Sequence, residues 1–283
     1  MTTSKDSQVW LITGSSRGIG RALAEAVLAA GHRLVATARN PKQLSELVDR
    51  YGDRVRAVAL DVTDERAAGL AIASAVDSFG RLDVLVNNAG YGDLASIEDT
   101  TVKDFRAQIE TNLFGVIIVT KAAIPVMRRQ GFGHILQFSS VGGRVGPVGR
   151  GAYAAAKWGV EGFSEVLAKE VAPFGIKVTI VEPGGFRTDF AGASTTIAPD
   201  NPVYAATVGK VARFQREYNG AQPGDPAKAA AAILRVTSAD DPPLRLLLGS
   251  DAVRAADEAA KARSEVDSKW RQLSESTDFV ART

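Results

Sequence analysis

The sequence runs to 283 residues, 45% of them hydrophobic, which is enough to bury a sizeable core, and alternating strand and helix patterns point to one α/β domain over residues 1–283. Its 34 basic and 32 acidic residues nearly cancel, and no basic run or aromatic-interleaved patch offers a nucleic-acid footprint. The lack of cysteine excludes disulfides, thiolate nucleophiles and cysteine-bound metal clusters. His32 and His134, the only histidines, each sit at the start of a strand, far apart in sequence, and do not suit a triad or a metal site. The polar start MTTSKDSQVW lacks the apolar stretch of a signal peptide, and the later apolar runs read as too short to span a bilayer. A soluble, cytoplasmic protein with no membrane partner is expected.

Val9 to Thr13 reads as a short buried strand running into TGSSRGIG, residues 13–20, which opens the helical run RALAEAVLAAG. In such a turn Gly14 permits tight backbone geometry, Gly18 lets the main chain approach a phosphate, and Gly20 allows close helix-to-strand packing. The helix N-terminus then faces the anion. The spacing G-x-x-x-G-x-G meets the general dinucleotide fingerprint only loosely, and an ordinary strand-to-helix glycine turn accounts for the same letters. His32 to Ala38 is the second strand. Where an acidic residue would bind a ribose 2′-hydroxyl stand Ala38 and Arg39, followed by Asn40 and Pro41. Arg39 and Arg17 can converge on a 2′-phosphate, favouring NADP over NAD, or each can be a solvated surface residue. Arg54 to Leu60 is the third strand. Asp61 either accepts a hydrogen bond from adenine or, like Thr63, caps the helix from Asp64 to Phe79. Leu82 to Val86 is the fourth strand, ending in Asn87-Asn88-Ala89-Gly90 at the end where open α/β sheets bind ligands and where asparagines can also fix loops by side-chain to backbone bonds.

From Thr101 to about Arg129 runs a long helical pattern with Asn112 inside its apolar stripe, a satisfied core asparagine facing another core polar group or an ordered water, and Pro125 is expected to kink or end the helix near Ile124. Gly133 to Phe138 is the fifth strand and leads into Ser139-Ser140. Thirteen residues after Ser140 comes Tyr153, and four further on Lys157, on one helix face with alanines between them. An ammonium ~5 Å from the phenol at an effective dielectric of ~20 would favour the phenolate by roughly 3 kcal/mol and bring Tyr153 toward neutrality. That helix continues to about Val171 and a sixth strand, Ile176 to Val181, leads into PGGFRT at 183–188, bordering the same crevice. Residues 189–226 loosen into a weakly amphipathic segment read as a substrate lid, with a plain surface excursion as the alternative. Asp225 to Val236 is an alanine-rich helix and Leu244 to Leu248 a last strand. Residues 251–283 form a charged helical extension.

In this order TGSSRGIG, NNAG at 87–90, Asn112, Ser140, YAAAK at 153–157 and PGGFRT at 183–188 make residues 8 to about 190 resemble the short-chain dehydrogenase/reductase family. The resemblance implies a Rossmann-type, doubly wound, mostly parallel seven-stranded sheet with helices on both faces. It also implies a bound nicotinamide dinucleotide and hydride exchange between a carbonyl and an alcohol. It casts Tyr153 as general acid/base, Ser140 as the hydroxyl polarising the carbonyl, Lys157 as the partner that lowers the phenol pKa and binds ribose, and Asn112 as anchor of a proton-relay water. The expected NADP(H)-binding set is Gly14, Ser16, Arg17, Gly18, Ile19, Gly20, Arg39, Asp61, Val62, Asn88, Ala89, Gly90, Tyr153, Lys157, Pro183, Gly184 and Thr188, with no metal ligands. The expected molecule is an NADP-dependent carbonyl reductase or alcohol dehydrogenase, a homodimer or homotetramer acting on a small carbonyl or alcohol. The alternatives are a catalytically silent NADP-binding sensor or scaffold, and a dehydratase or epimerase on the same fold.

Overall fold

A computed structural model describes residues 7–279. In chain order the strands are β1 (Val9–Ile12), β2 (Arg33–Ala38), β3 (Val55–Ala59), β4 (Val84–Asn87), β5 (Gly92–Leu94), β6 (Gly133–Phe138), β7 (Ile176–Pro183), β8 (Thr195–Ile197) and β9 (Arg245–Leu248). The helices are α1 (Gly18–Ala29), α2 (Ser45–Tyr51), α3 (Glu65–Phe79), α4 (Val102–Ile109), α5 (Gly115–Gln130), α6 (Gly151–Val171), α7 (Val208–Tyr218), α8 (Pro226–Thr237) and α9 (Ser250–Glu275). Seven strands form one sheet in the order β3-β2-β1-β4-β6-β7-β9, and every neighbouring pair is parallel.

A parallel sheet covered on both faces needs strands that are apolar on both sides, and β1 meets this with four fully buried residues. Alternate side chains feed opposite layers. Trp10 and Ile12 pack with Leu23 and Val27 of α1 and Ile233 of α8, while Val9 and Leu11 join Ile72 of α3, Met127 of α5 and Leu167 of α6. The chain steps outward from β1 to β3 and then crosses back to β4 on the other side of β1. This reversal opens a crevice at the carboxyl ends of β1 and β4, the place where doubly wound sheets bind ligands.

The long helical pattern divides at a different place from the one Pro125 suggests. A π-turn at Glu110–Phe114 separates α4 from α5, and α5 runs through Pro125 to Gln130 before Gly131, at φ 77°, ends it in the left-handed region. Pro125 and Lys121 both lie on the exposed side, so the carbonyl that the proline leaves without an N–H partner can be solvated. By length and composition the run Val102–Gln130 is also apolar enough to cross a membrane, contrary to the expectation from sequence. Here α5 packs on α3, β4 and β6 as part of a sheet-covering layer.

The segment 189–226 is more regular than its sequence suggests. β8 pairs in parallel with β5, a 3₁₀ turn follows at Pro202–Tyr204, and α7 closes the excursion. Helix α3 is capped by Asp64, which accepts from the N–H groups of Arg66 and Ala67, while Asp61 accepts from Thr63 through both N–H and hydroxyl.

His134 begins the buried part of β6. Its Nε2 lies 3.0 Å from Thr179 Oγ1, and that hydroxyl donates to the Pro243 carbonyl, so Nε2 carries the proton and donates to Thr179. Burial, aided by the charge of Lys177, holds the imidazole pKa down at about 4. The unfolded chain therefore binds more protons than the native one between the ordinary histidine value of about 6.5 and about 4. Stability should fall as pH drops through that window, by on the order of 3 kcal/mol at most, and His134→Gln should remove this part of the acid sensitivity. Urea unfolding of both proteins near pH 7 and near pH 4 measures it; an equal loss in the variant would assign the sensitivity to other groups.

Candidate active site

The glycine turn and the end of β4 are clamped together by side chains at the crevice. Thr13 Oγ1 accepts from the N–H groups of Asn88 and Ala89 at 2.9 and 3.0 Å, and Asn88 Nδ2 donates back to the carbonyls of Thr13 and Gly14. Gly14 and Gly18 sit at φ 70° and 60°, where a side chain is disfavoured. A β-carbon on Gly20 would lie 2.4 Å from Gly14 O, so this position must be bare for α1 to start where it does. The amino end of α1 thus points its free N–H groups into the crevice with no side chain between. Thr13, outside the expected cofactor-binding set, is the centre of this clamp. Asn88, expected as a cofactor contact, has its amide committed to the turn.

The catalytic candidates meet at the other end of the same space. Ser140 follows β6, caps a 3₁₀ turn by accepting from Gly142 N at 3.1 Å, donates to the Pro183 carbonyl at 3.5 Å, and lines the cavity with Tyr153, near enough to bear on the phenol's pKa. One turn along α6, Lys157 Nζ donates to the Phe138 carbonyl at 2.8 Å, tying the helix to the strand that presents Ser140. Asn112 is fully buried in the π-turn. Its Oδ1 accepts from Tyr91 N, and its Nδ2 donates to Tyr91 O and Gln108 Oε1. The amide thus braces the Gly90-Tyr91 loop, as a hydrogen-bonded asparagine of the core does.

Electrostatics correct one expectation. Tyr153 is raised above the ordinary phenol value, because burial outweighs the Ser140 hydroxyl and the nearby Arg150 charge. Lys157 is not the cation that dominates this balance. Its Nζ lies 5.6 Å from the ring centroid and is bound to the Phe138 carbonyl, and burial lowers its own pKa to about 8 despite Glu161. The Coulomb argument at fixed distance left out the desolvation that both groups undergo together.

A cavity of about 1110 Å³ joins the two ends and is larger than the roughly 300–1,000 Å³ of a small-molecule site. Its walls include Gly14, Ser16, Arg17, Gly18, Ile19, Arg39, Asp61, Val62, Asn88, Ala89, Gly90, Asn112, Ser140, Tyr153, Lys157, Pro183, Gly184 and Thr188. Of the expected set only Gly20 lies behind the wall. Ala38 is nearly buried at the end of β2, and the exposed Arg17 and Arg39 make no ion pair among the described residues. Thr188 packs over Gly18 and caps the turn that carries Phe190. The segment 189–226 roofs the catalytic end through Phe190, Ser194, Thr196, Gln215 and Tyr218, and the Phe190 ring lies 5.6 Å from that of Tyr153.

Three supporting groups were invisible in the sequence. Arg144 grips the fully buried Glu182 with two hydrogen bonds of 2.5 and 2.8 Å, bracing the loop after Ser140 against β7. Asp251, at the start of α9, accepts from Gly185 N at 2.7 Å and holds the PGG turn, where a β-carbon on Gly184 would collide with it. Arg150 enters the cavity wall beside Tyr153. None of these belongs to a local motif, and only the fold brings each to its partner.

The comparisons agree with this geometry. The short chain dehydrogenase family pattern matches residues 8–197. Oxidoreductase BOA17 of Botryotinia fuckeliana (strain B05.10) is 52% identical over 95% of this chain and 98% of its own. The crystal structure of a short-chain dehydrogenase from Streptomyces avermitilis superposes with a TM-score of 0.91 at 43% identity, covering 98% of this chain and 100% of that one. An alcohol dehydrogenase from Thermococcus sibiricus, solved with 5-hydroxy-NADP, gives a TM-score of 0.71 at 27% identity, with coverage of 86% and 96%. By sequence and by fold, this chain is an oxidoreductase of the short-chain dehydrogenase/reductase family.

Proposed function

We propose that the chain is an NADP(H)-dependent carbonyl reductase or alcohol dehydrogenase with Tyr153 as general acid/base. The observation that carries this reading is the meeting of two hydroxyls, Ser140 and Tyr153, at the closed end of a cavity whose open end is the bare amino terminus of α1. When bound, the nicotinamide dinucleotide supplies or accepts the hydride. The cavity suits it. The main chain at Gly14, Ser16, Gly18 and Ile19 offers N–H groups to a pyrophosphate, and Asp61 and Val62 flank space for an adenine. Lys157 would hold the ribose, and Pro183, Gly184 and Thr188, which line the same cavity, would border the nicotinamide.

Reduction of a ketone builds negative charge on its oxygen, which must be met by hydrogen-bond donors and then by a proton. Ser140 and Tyr153 are those donors. With its pKa raised by burial, Tyr153 stays protonated through neutrality and is ready as an acid; oxidation of an alcohol needs the phenolate and is favoured as pH rises. Tyr153→Phe keeps the ring but removes the proton, so turnover should fall by roughly 10²-fold or more while cofactor binding survives. Wild-type reduction should hold steady through neutrality and decline on the alkaline side, with oxidation showing the opposite trend. A variant that reduces the best ketone at nearly wild-type rate across pH would remove Tyr153 from the chemistry.

Cofactor choice rests on Ala38, Arg39 and Arg17. An acid at the end of β2 would repel a 2′-phosphate, whereas guanidinium groups bind it by charge-assisted hydrogen bonds worth about 1.5–3 kcal/mol each before screening. At an open pocket, NADPH should bind at least roughly tenfold more tightly than NADH. Ala38→Asp with Arg39→Ala should narrow or invert that ratio. Titrating both cofactors at low and moderate salt decides it, and equal affinities in the wild-type protein would make both arginines surface residues only.

A further inference from the structure

The catalytic end of the cavity contains a cation that the proposed chemistry does not use. Arg150 immediately precedes α6, lines the cavity, and holds its guanidinium carbon 6.0 Å from the Tyr153 ring centroid. Its Nη1 donates to the Asp93 carbonyl and its Nη2 to Gln215 Oε1, both at 3.1 Å, and its Nε makes no hydrogen bond among the described residues. No carboxylate lies within ion-pair distance of it among the described residues, in contrast to Arg144 and Arg245, which are each held by glutamates. The Asp93 carboxylate stands outside ion-pair distance, with Oδ1 buried and without a hydrogen-bond partner, and it feels the Arg150 charge only through space. Arg150 takes the carbonyl of that residue rather than its carboxylate.

A half-buried guanidinium without a carboxylate in contact is disfavoured, and burial pushes its pKa down although Tyr153 and Asp93 oppose the fall. Its hydrogen-bond partners here are neutral acceptors that fix its orientation, and Asp93 offsets its charge only through space, without an ion pair. A guanidinium so held presents a planar fork matched to a carboxylate. The geometry points to Arg150 as the anion-recognition residue of the substrate pocket, and to an oxo-carboxylate as the preferred substrate, with the carboxylate on Arg150 and the ketone on Ser140 and Tyr153. The short separation of Arg150 from the phenol ring calls for only a few carbon atoms between the two groups, and the Phe190 ring is placed to cover that apolar spacer. Gln215 of α7 binds Arg150 and also donates to the Ala191 carbonyl at 2.9 Å, so the roof of the site is fastened to the same cation. This inference rests on the proposed reductase reading for the ketone end alone.

The test compares 4-oxopentanoate with its methyl ester as substrates of the NADPH-loaded enzyme. One charge-assisted hydrogen bond predicts a kcat/KM preference for the acid of ~10-fold or more, which Arg150→Met should abolish and Arg150→Lys should partly keep. The ratio within each variant is the readout, because a mere strut between α6 and the lid would lower both rates and leave the ratio unchanged. A wild-type ratio at or below one, or a ratio unaltered in Arg150→Met, overturns the proposal. A second measurement needs no turnover: pentanoate should raise the thermal midpoint of the NADPH-bound wild-type protein more than pentanamide does, and should lose that advantage in Arg150→Met. Equal effects of the two compounds on the wild-type protein overturn the anion site. A carboxylate-specific shift without reduction of any ketone supports the anion site and overturns the reductase reading.

Discussion

One buried hydrogen bond holds the proposed catalytic residues in place. The Lys157 ammonium donates to the Phe138 carbonyl at 2.8 Å, joining the helix that carries Tyr153 to the strand that ends beside Ser140. An amine stripped of water keeps its charge only while such partners are present, which is why burial lowers its pKa to about 8 while Glu161 opposes the fall. The same contact sets the register of α6 on the sheet. Tyr153, one helical turn earlier, then lines the cavity together with Ser140. The Arg144–Glu182 pair performs the corresponding task from below, fixing the loop after Ser140 to β7.

At the opposite end the constraint is steric. Gly20 has no room for a β-carbon, and Asn88 fills the space that one would occupy, so the turn after β1 is moulded to the end of β4. These two clamps, one of polar contacts around α6 and one of close packing around α1, leave the long cavity between them. The roof of the cavity is fastened less uniformly. β8 pairs with β5, Gln215 reaches both Arg150 and Ala191, and Asp251 secures the turn that leads into the roof from β7.

Much of this was legible in the sequence where the signal is local. Val9 to Thr13 with its glycine turn, Ser140 with Tyr153 thirteen residues on, and Lys157 one turn later each pair a residue type with a spacing that a strand end or helix face converts directly into position. Helix interruption was misplaced because Pro125 is the conspicuous breaker, whereas the π-turn at Glu110–Phe114 is imposed by the tertiary demand to bury Asn112 under the Gly90-Tyr91 loop. Pairing of β5 with β8 joins segments about a hundred residues apart, with three residues in each strand, too short to show periodicity. The phenol pKa was misjudged for a related reason: distance along a helix is written in the sequence, but the loss of water around both groups is a property of the packed site.

The central claim is that the Ser140–Tyr153 pair serves hydride exchange at a carbonyl carbon rather than dehydration, epimerisation or silent cofactor binding. The most direct measurement is to supply NADPH deuterated at the transferable C4 position with a panel of ketones and aldehydes, and to read the products by mass spectrometry. The account predicts an alcohol carrying one deuterium on the former carbonyl carbon, formed by the wild-type protein and strongly diminished in Tyr153→Phe. Products that form without the label, or a panel from which no labelled alcohol is recovered while NADPH binds normally, would contradict it.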